Sequence, residues 1–369
     1  MGKLLFLVAW NKNKKSTWSG TCWGLYTALQ NYFKINDIDV NLTKFDRLIL
    51  RLKKILFHFD DQFGLNEILI QRKKVKKHLL KKSKNIVFQF AEIIPNASNV
   101  DSYIYIDEDV NHVKHLYEKE LNIFRKSNFS NANIQSINKR NDSQLSYFAN
   151  CSGIFTMGMW LRNSIVERLG VPADRVHCVG GGINLDPTLI ENKYKQHNKI
   201  LFVGRDFERK GGYLVIDAFN KLKKNKSDKV ELHIAGPCSN PLRENIEGIY
   251  YHGDCNPNKI TELMNMCDVF CMPSYYEAYG LVFIEALVYG LPCIGRNAYE
   301  MPYFIEEGKT GLLINEDDSE DLAKKMYILL NDHSFAERVK EKQEFYIKKY
   351  SWNSVANNIF NIINKDSSN

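Results

Sequence analysis

Two glutamates eight positions apart, Glu277 and Glu285, frame the most chemically suggestive stretch of the chain, which runs from Pro273 to Pro292. Glu277 follows an apolar strand candidate, Val269–Met272, and Glu285 lies inside an apolar helical pattern. With that helix starting near Gly280, Glu285 falls on its second turn and Glu277 hangs over its amino end. There the amides of Gly280, Leu281 and Val282 face anionic oxygens. One carboxylate can accept hydrogen bonds from the hydroxyls of a sugar or ribose, the other from hydroxyls further out. Capping and solvation of a helix end explain Glu277 well, but a carboxylate in so apolar a helix as that of Glu285 is costly without a partner.

A second constellation precedes it. The strand candidate Ile200–Val203 runs into Gly204-Arg205-Asp206-Phe207-Glu208-Arg209-Lys210-Gly211-Gly212 and then into the helical pattern Tyr213–Leu222. A strand that ends in a glycine-containing turn and opens a helix presents backbone N–H groups and the positive helix end to an anion. Arg205 and Lys210 add two charges, a way to hold a diphosphate without a metal. The spacing matches neither the dinucleotide fingerprint nor the P-loop, and a basic helix start facing water is the plain alternative. A third candidate is Asp107-Glu108-Asp109 after the strand Tyr103–Ile106. Clustered carboxylates suit hard cations, yet such triplets are common by chance and positive charge is already supplied by Arg205 and Lys210, so no metal is expected. Asp107, at a strand's carboxyl end, can instead face the acceptor or the reacting sugar, and His112 lies nearby.

These groups need elements to position them. Short apolar runs alternate with helical patterns throughout, the rhythm of parallel sheets covered on both faces. The strand candidates are Leu4–Ala9, Ile86–Phe90, Tyr103–Ile106, Gly153–Thr156 and Val176–Val179, then Ile200–Val203, Val230–Ala235, Ile249–Tyr251, Val269–Met272, Cys293–Gly295 and Gly311–Ile314. A polar stretch, residues 191–199, separates the two sets, so two α/β domains are expected, 1–190 and 191–349. The tail from Tyr350 carries a helical stripe, Trp352, Val355, Ile359 and Ile362, that needs a surface to pack on. At 369 residues, 44% apolar and 25% charged, the chain has material for two cores. Its eight cysteines are scattered without a C-x-x-C pair, which reads as reduced thiols in a cytosolic protein. The run Leu4–Trp10 lacks a small-residue cleavage site after it and reads as a first buried strand. No stretch approaches the roughly 20 apolar residues of a membrane span.

The blocks Phe202–Gly212, His233–Gly236, Glu277–Glu285 with Gly290-Leu291-Pro292, and Pro302–Ile314 together resemble the retaining nucleotide-sugar glycosyltransferases of the family 4 type, densely from about Lys199 to Tyr350. The resemblance implies the GT-B fold: two Rossmann-like parallel-sheet domains facing a central cleft, the carboxyl-terminal one holding the donor and the amino-terminal one the acceptor, with residues 350–369 crossing back to the first domain. It implies that Arg205 and Lys210 neutralise the donor diphosphate and that Glu285 holds the ribose hydroxyls. Glu277 would contact the donor sugar near its reacting face, while the amides of Ala278, Tyr279, Gly280, Leu281 and Val282 line the sugar and phosphate pocket. Ser19-Gly20-Thr21 matches the small-residue loop that approaches the donor phosphate from the other domain, with Gly20 allowing the close approach. Gly158 stands where many members carry Ser.

The net charge of +7 is uneven. Residues 51–84 hold 11 Lys/Arg against 3 Asp/Glu, and residues 1–190 hold 27 against 17, whereas residues 191–369 hold 23 against 26. Phe45, Leu48, Leu52, Ile55, Leu56 and Phe59 share one helical face and Arg47, Arg51, Lys54 and His58 the opposite one. The plain reading is a core-packing helix with a solvated cationic back. The sharper one is peripheral contact of residues 45–84 with anionic membrane, each cation worth roughly 1 kcal/mol. No aromatic-basic motif supports nucleic acid. The expectation is therefore a cytoplasmic, metal-independent, retaining hexosyltransferase without cofactor, possible on the inner face of a membrane. It would move a sugar from a nucleotide diphosphate donor to a glycan or lipid-linked hydroxyl in polysaccharide or lipopolysaccharide biosynthesis. A nucleotide-sugar epimerase and a non-catalytic nucleotide-sugar-binding partner subunit are the alternatives.

Overall fold

The computed structural model describes residues 3–57, 64–79, 84–191, 198–226, 229–242 and 245–368. Two compact units result, one of residues 1–182 with 352–369 and the other of residues 183–351. The first unit contains β1 (Lys3–Val8), β2 (Lys34–Asp39), β3 (Asn85–Gln89), β4 (Val100–Ile106), β5 (Gly153–Thr156) and β6 (Val176–Cys178), paired in parallel in the order β2-β1-β3-β4-β5-β6. The second contains β7 (Lys199–Val203), β8 (Glu231–Ala235), β9 (Ile249–Gly253), β10 (Val269–Cys271), β11 (Cys293–Arg296) and β12 (Gly311–Ile314), also parallel, in the order β12-β11-β10-β7-β8-β9.

Central strands are apolar because helices cover both faces of a parallel sheet: Leu4, Phe6 and Leu7 of β1, and Ile200, Leu201 and Phe202 of β7, are fully buried. β2, Lys-Ile-Asn-Asp-Ile-Asp, is absent from the strand candidates for the opposite reason. It is an edge strand paired only with β1, and Ile38 is its one buried residue, so no apolar run marks it.

In each sheet the strand order reverses once, between β1 and β3 in the first unit and between β10 and β7 in the second. Loops leaving the carboxyl ends of strands on either side of such a reversal diverge and leave a crevice, where ligands of open α/β sheets bind.

The carboxyl-terminal helix, Trp352–Ser368, belongs to the first unit. It buries Val355, Ala356, Ile359 and Ile363, so the stripe expected to end on Ile362 runs through Ile363 instead, in strict four-residue steps from Val355. Phe360 packs against Tyr32 with ring centroids 4.8 Å apart, and Asn358 donates to the Val179 carbonyl at 3.3 Å. The Trp352 indole fills the space that a Cβ would occupy at both Gly24 and Gly182, so both positions demand glycine.

The helix Lys44–Phe57 departs from the core-packing reading. Phe45, Leu48, Leu52 and Ile55 are 69%, 52%, 48% and 70% exposed, and the helix is half-buried instead through Ile49 and Leu50. The side chains of Lys54 and Leu56, and residues His58, Phe59, 80–83 and 192–197, lie outside the described residues.

Candidate functional site

In the second unit the crevice is formed by the loop after β7, residues 204–211, and the loop after β10, residues 272–280. Lys210, at the end of the first loop, forms an ion pair with Glu277 of the second. Both side chains are nearly buried, and the buried Ser274 hydroxyl donates to the same Glu277 oxygen at 3.3 Å. Burial depresses the Lys210 ammonium below its usual range, and the Glu277 carboxylate opposes that shift.

Arg209, a residue the sequence reading passed over, joins the two loops. Its Nη1 donates to the Tyr276 carbonyl at 2.7 Å and stands 4.0 Å from the Glu277 carboxylate, its Nε donates to Asp206 at 3.1 Å, and its own carbonyl accepts the Tyr275 N–H at 2.9 Å. From the other side Arg296, ending β11, donates to the Ser274 carbonyl at 3.1 Å and the Pro273 carbonyl at 3.3 Å. Arg205 is not drawn into this cluster: it is largely exposed and pairs at 3.3 Å with Asp254 after β9.

The helix that follows, Leu281–Val288, starts from Gly280 in a left-handed conformation at φ 91°. Its first-turn N–H groups, Leu281 and Val282 among them, have no acceptor within the helix. Tyr279 turns inward against Phe304, centroids 5.1 Å apart, so its side chain belongs to the core, while Ala278 is half-buried beside it. Glu285 is buried, accepts the Asn184 N–H at 3.0 Å, and is pushed up to about 7 by burial, against hydrogen bonds from the Asn184 and Leu185 amides. The partner that so apolar a helix required for this carboxylate is thus the backbone at 184–185, near the amino end of the same unit.

The first unit has a cleft of its own, about 690 Å³ in volume, at its reversal point. Its walls come from the carboxyl ends of β1, β3 and β4, including Ala9, Trp18, Phe90, Glu92 and Asp107. Asp107 is thereby placed on a ligand-sized surface. Asp109 is not available in the same way: it caps the helix Val110–Lys119 by accepting the His112 N–H at 2.8 Å, and it pairs with Arg168 at 2.8 Å. Among the described residues no group of three or more metal-ligating side chains assembles.

His112 is outside the cleft walls, its ring against Trp160 at 5.1 Å. Burial, reinforced by Arg168 and His115, lowers it to about 3, which leaves the imidazole neutral near pH 7. Gly20, at φ 93°, ends a run of left-handed residues with Trp18 at 46° and Ser19 at 54°, just before the helix Thr21–Leu29. In the cleft wall Glu92 binds Arg140 at 2.5 Å and accepts from Gln144, whose own oxygen accepts the Val110 N–H at 2.7 Å. Nothing in the local sequence signals this network, because its links span 34 to 52 residues.

Residues 190–344 match the family model described as glycosyl transferases group 1. A Klebsiella pneumoniae protein described as an uncharacterized 41.2 kDa protein in the cps region is 28% identical over 207 residues, 52% of this chain and 56% of that protein. A sulfoquinovosyl transferase of Arabidopsis thaliana is 31% identical over 160 residues, 41% of this chain and 31% of the plant protein. The chain thus spans about half or less of the length of these relatives. Among solved structures, a sucrose-phosphate synthase of Thermosynechococcus elongatus superposes with a TM-score of 0.72 at 15% identity over 100% of both chains. WaaG, a glycosyltransferase involved in lipopolysaccharide biosynthesis, does so with 0.67 at 16% identity, over 98% of this chain and 99% of its own. At such identities the likeness shows the fold, which is GT-B.

Proposed function

We propose, from the membership of residues 190–344 in the glycosyl transferases group 1 family, that this protein is a retaining, metal-independent glycosyltransferase using a nucleoside diphosphate sugar. The second unit holds the donor and the first holds a glycan or lipid-linked acceptor. The observation that carries the reading is the nearly buried Lys210–Glu277 pair between the loops after β7 and β10. A desolvated ammonium beside a helix amino end stabilises a diphosphate and the extra charge it gains on leaving. Glu277, set by Lys210, Ser274 and Arg209, accepts hydroxyls of the donor sugar, and Arg205 adds charge at the diphosphate. Glu285 takes the ribose hydroxyls.

No carboxylate is suggested as nucleophile. The acceptor oxygen attacks the anomeric carbon on the face from which the diphosphate departs, and the departing phosphate oxygen takes the hydroxyl proton. Asp107 serves the acceptor side. His112, neutral and packed on Trp160, is the weaker candidate there. An epimerase consumes donor without acceptor, and a non-catalytic binding partner turns over neither. The expected outcome is therefore transfer only when acceptor is present, undiminished by chelator, with the product anomer matching the donor by NMR. Inversion, donor consumption without acceptor, or activity lost to chelator and restored by a divalent cation would each refute the corresponding part.

A peripheral site at the cytoplasmic face of a membrane is part of the proposal. The helix Lys44–Phe57 exposes Phe45, Leu48, Leu52 and Ile55 together with Lys44, Arg47 and Arg51, the make-up of a helix lying in a lipid interface. No helix among the described residues is long and apolar enough to cross a membrane. The protein should co-sediment with vesicles containing phosphatidylglycerol and not with phosphatidylcholine alone. Leu48→Glu with Leu52→Glu should release it, and unchanged sedimentation of that variant would remove this helix from the account.

A further inference from the structure

The two crevices carry opposite electrical character, and the contrast runs against the charge of the units that hold them. The slightly acidic second half places Lys210 and Arg209 in its crevice, with Arg205 at the same loop. The basic first half lines its cleft with acids. Among the described wall residues are the carboxylates of Glu67, Asp107 and Glu108, two further carboxylates that are already paired, Glu92 with Arg140 and Asp109 with Arg168, and a single cation, Arg140.

That cation is committed to the buried Glu92 at 2.5 Å. Arg72, close by, spends its guanidinium on the backbone carbonyls of Ile93 at 2.6 Å and Glu92 at 3.1 Å. Among the described residues a phosphate entering this cleft meets the carboxylates of Glu67, Asp107 and Glu108 and no cation without a carboxylate or carbonyl partner, an arrangement that repels anions. Carboxylates do accept strong hydrogen bonds from neutral hydroxyls. The rest of the lining is largely aliphatic, Leu7, Val8, Ile93 and Ile106 among it, with aromatic rings on part of the wall. Phe90 and Phe129 line the cleft with Trp18, whose ring meets Phe90 at 5.6 Å and Tyr105 at 6.0 Å edge to face. At about 690 Å³ the cleft has the size of a small-ligand site.

Resting on the acceptor reading of this unit, we propose that the cleft seats an uncharged sugar ring of the acceptor, with its apolar face on Trp18 and its hydroxyls on the carboxylates, and that it rejects rings bearing phosphate. A lipid-linked acceptor fits this division if its phosphates lie outside the cleft.

The test uses the full chain without donor. It titrates methyl glucoside, galactoside, mannoside and N-acetylglucosaminide, and the corresponding sugar 1-phosphates, with binding read by ligand-observed NMR. At least one neutral glycoside should bind roughly tenfold or more tighter than its phosphate. Trp18→Ala should lose that binding and Trp18→Phe recover most of it, and Glu67→Gln with Glu108→Gln should narrow the gap between the two classes. Phosphates binding as well as the glycosides, and losing that binding in Trp18→Ala, would overturn the charge inference while leaving the acceptor reading intact. Glycoside binding insensitive to Trp18→Ala, or no binding by either class, would overturn both.

Discussion

Lys210→Ala should lower transfer by roughly 10²–10³-fold, the scale seen when a preorganised group facing developing negative charge is removed, and Glu277→Ala should do so as well. Their effects on stability should differ. Removing Glu277 leaves a desolvated ammonium beside Arg209 with its carboxylate partner gone, and stranding a buried charge costs on the order of 3 kcal/mol. Removing Lys210 leaves Glu277 with the Ser274 hydroxyl at 3.3 Å and the Arg209 guanidinium at 4.0 Å, a milder loss. Glu277→Gln keeps an oxygen for Lys210 and should fold better than Glu277→Ala while transferring no faster. Turnover with denaturant unfolding on the same preparations checks both halves. Near-wild-type turnover in either alanine variant would remove the pair from the site.

Glu285→Gln should remove a loss of stability that the wild type suffers as the pH rises from about 4.5 to about 7. Burial raises the Glu285 carboxyl from 4.5 to about 7, so the folded state holds that proton more tightly than the unfolded chain. Stability is therefore lost as the pH rises from about 4.5 to about 7 and stays level above, by up to about 3 kcal/mol for a shift of this size. Glutamine resembles the protonated acid and lacks that loss. Relative to wild type the variant should gain several degrees in Tm between pH 5 and pH 8, with little difference at pH 5. If the carboxylate receives ribose hydroxyls, donor affinity should strengthen as pH rises through 7 in the wild type and stay flat in the variant. Parallel pH profiles of Tm would show that Glu285 is not held near neutrality.

The parts of the fold that read clearly in the sequence are those in which burial leaves an unbroken apolar run. β1, β3, β4, β5, β7 and β10 are of this kind, whereas the edge strand β9 has no buried residue and is marked by Ile249, Tyr250 and Tyr251 alone. β2 is not, because an edge strand with one buried residue carries no such mark. Helical periodicity located Lys44–Phe57 but could not say which face meets the protein: Ile49 and Leu50 do, and the larger stripe of Phe45, Leu48, Leu52 and Ile55 does not. Lys210 and Glu277 could be singled out because their loops follow recognisable strands. Their pairing, and the staple made by Arg209, depend on β7 and β10 being neighbours, which local sequence does not state. The triplet around Asp107 looked like one unit and divides in two, since Asp109 faces Arg168, a partner 59 residues away.

The central claim is that the second unit grips a donor diphosphate through Lys210 without a metal. Calorimetric titration of the nucleoside diphosphate of the active donor, with and without chelator, tests it most directly. The account predicts equal affinity in both buffers and at least a tenfold loss in Lys210→Ala. Binding that needs a divalent cation, or that survives unchanged in Lys210→Ala, would contradict it.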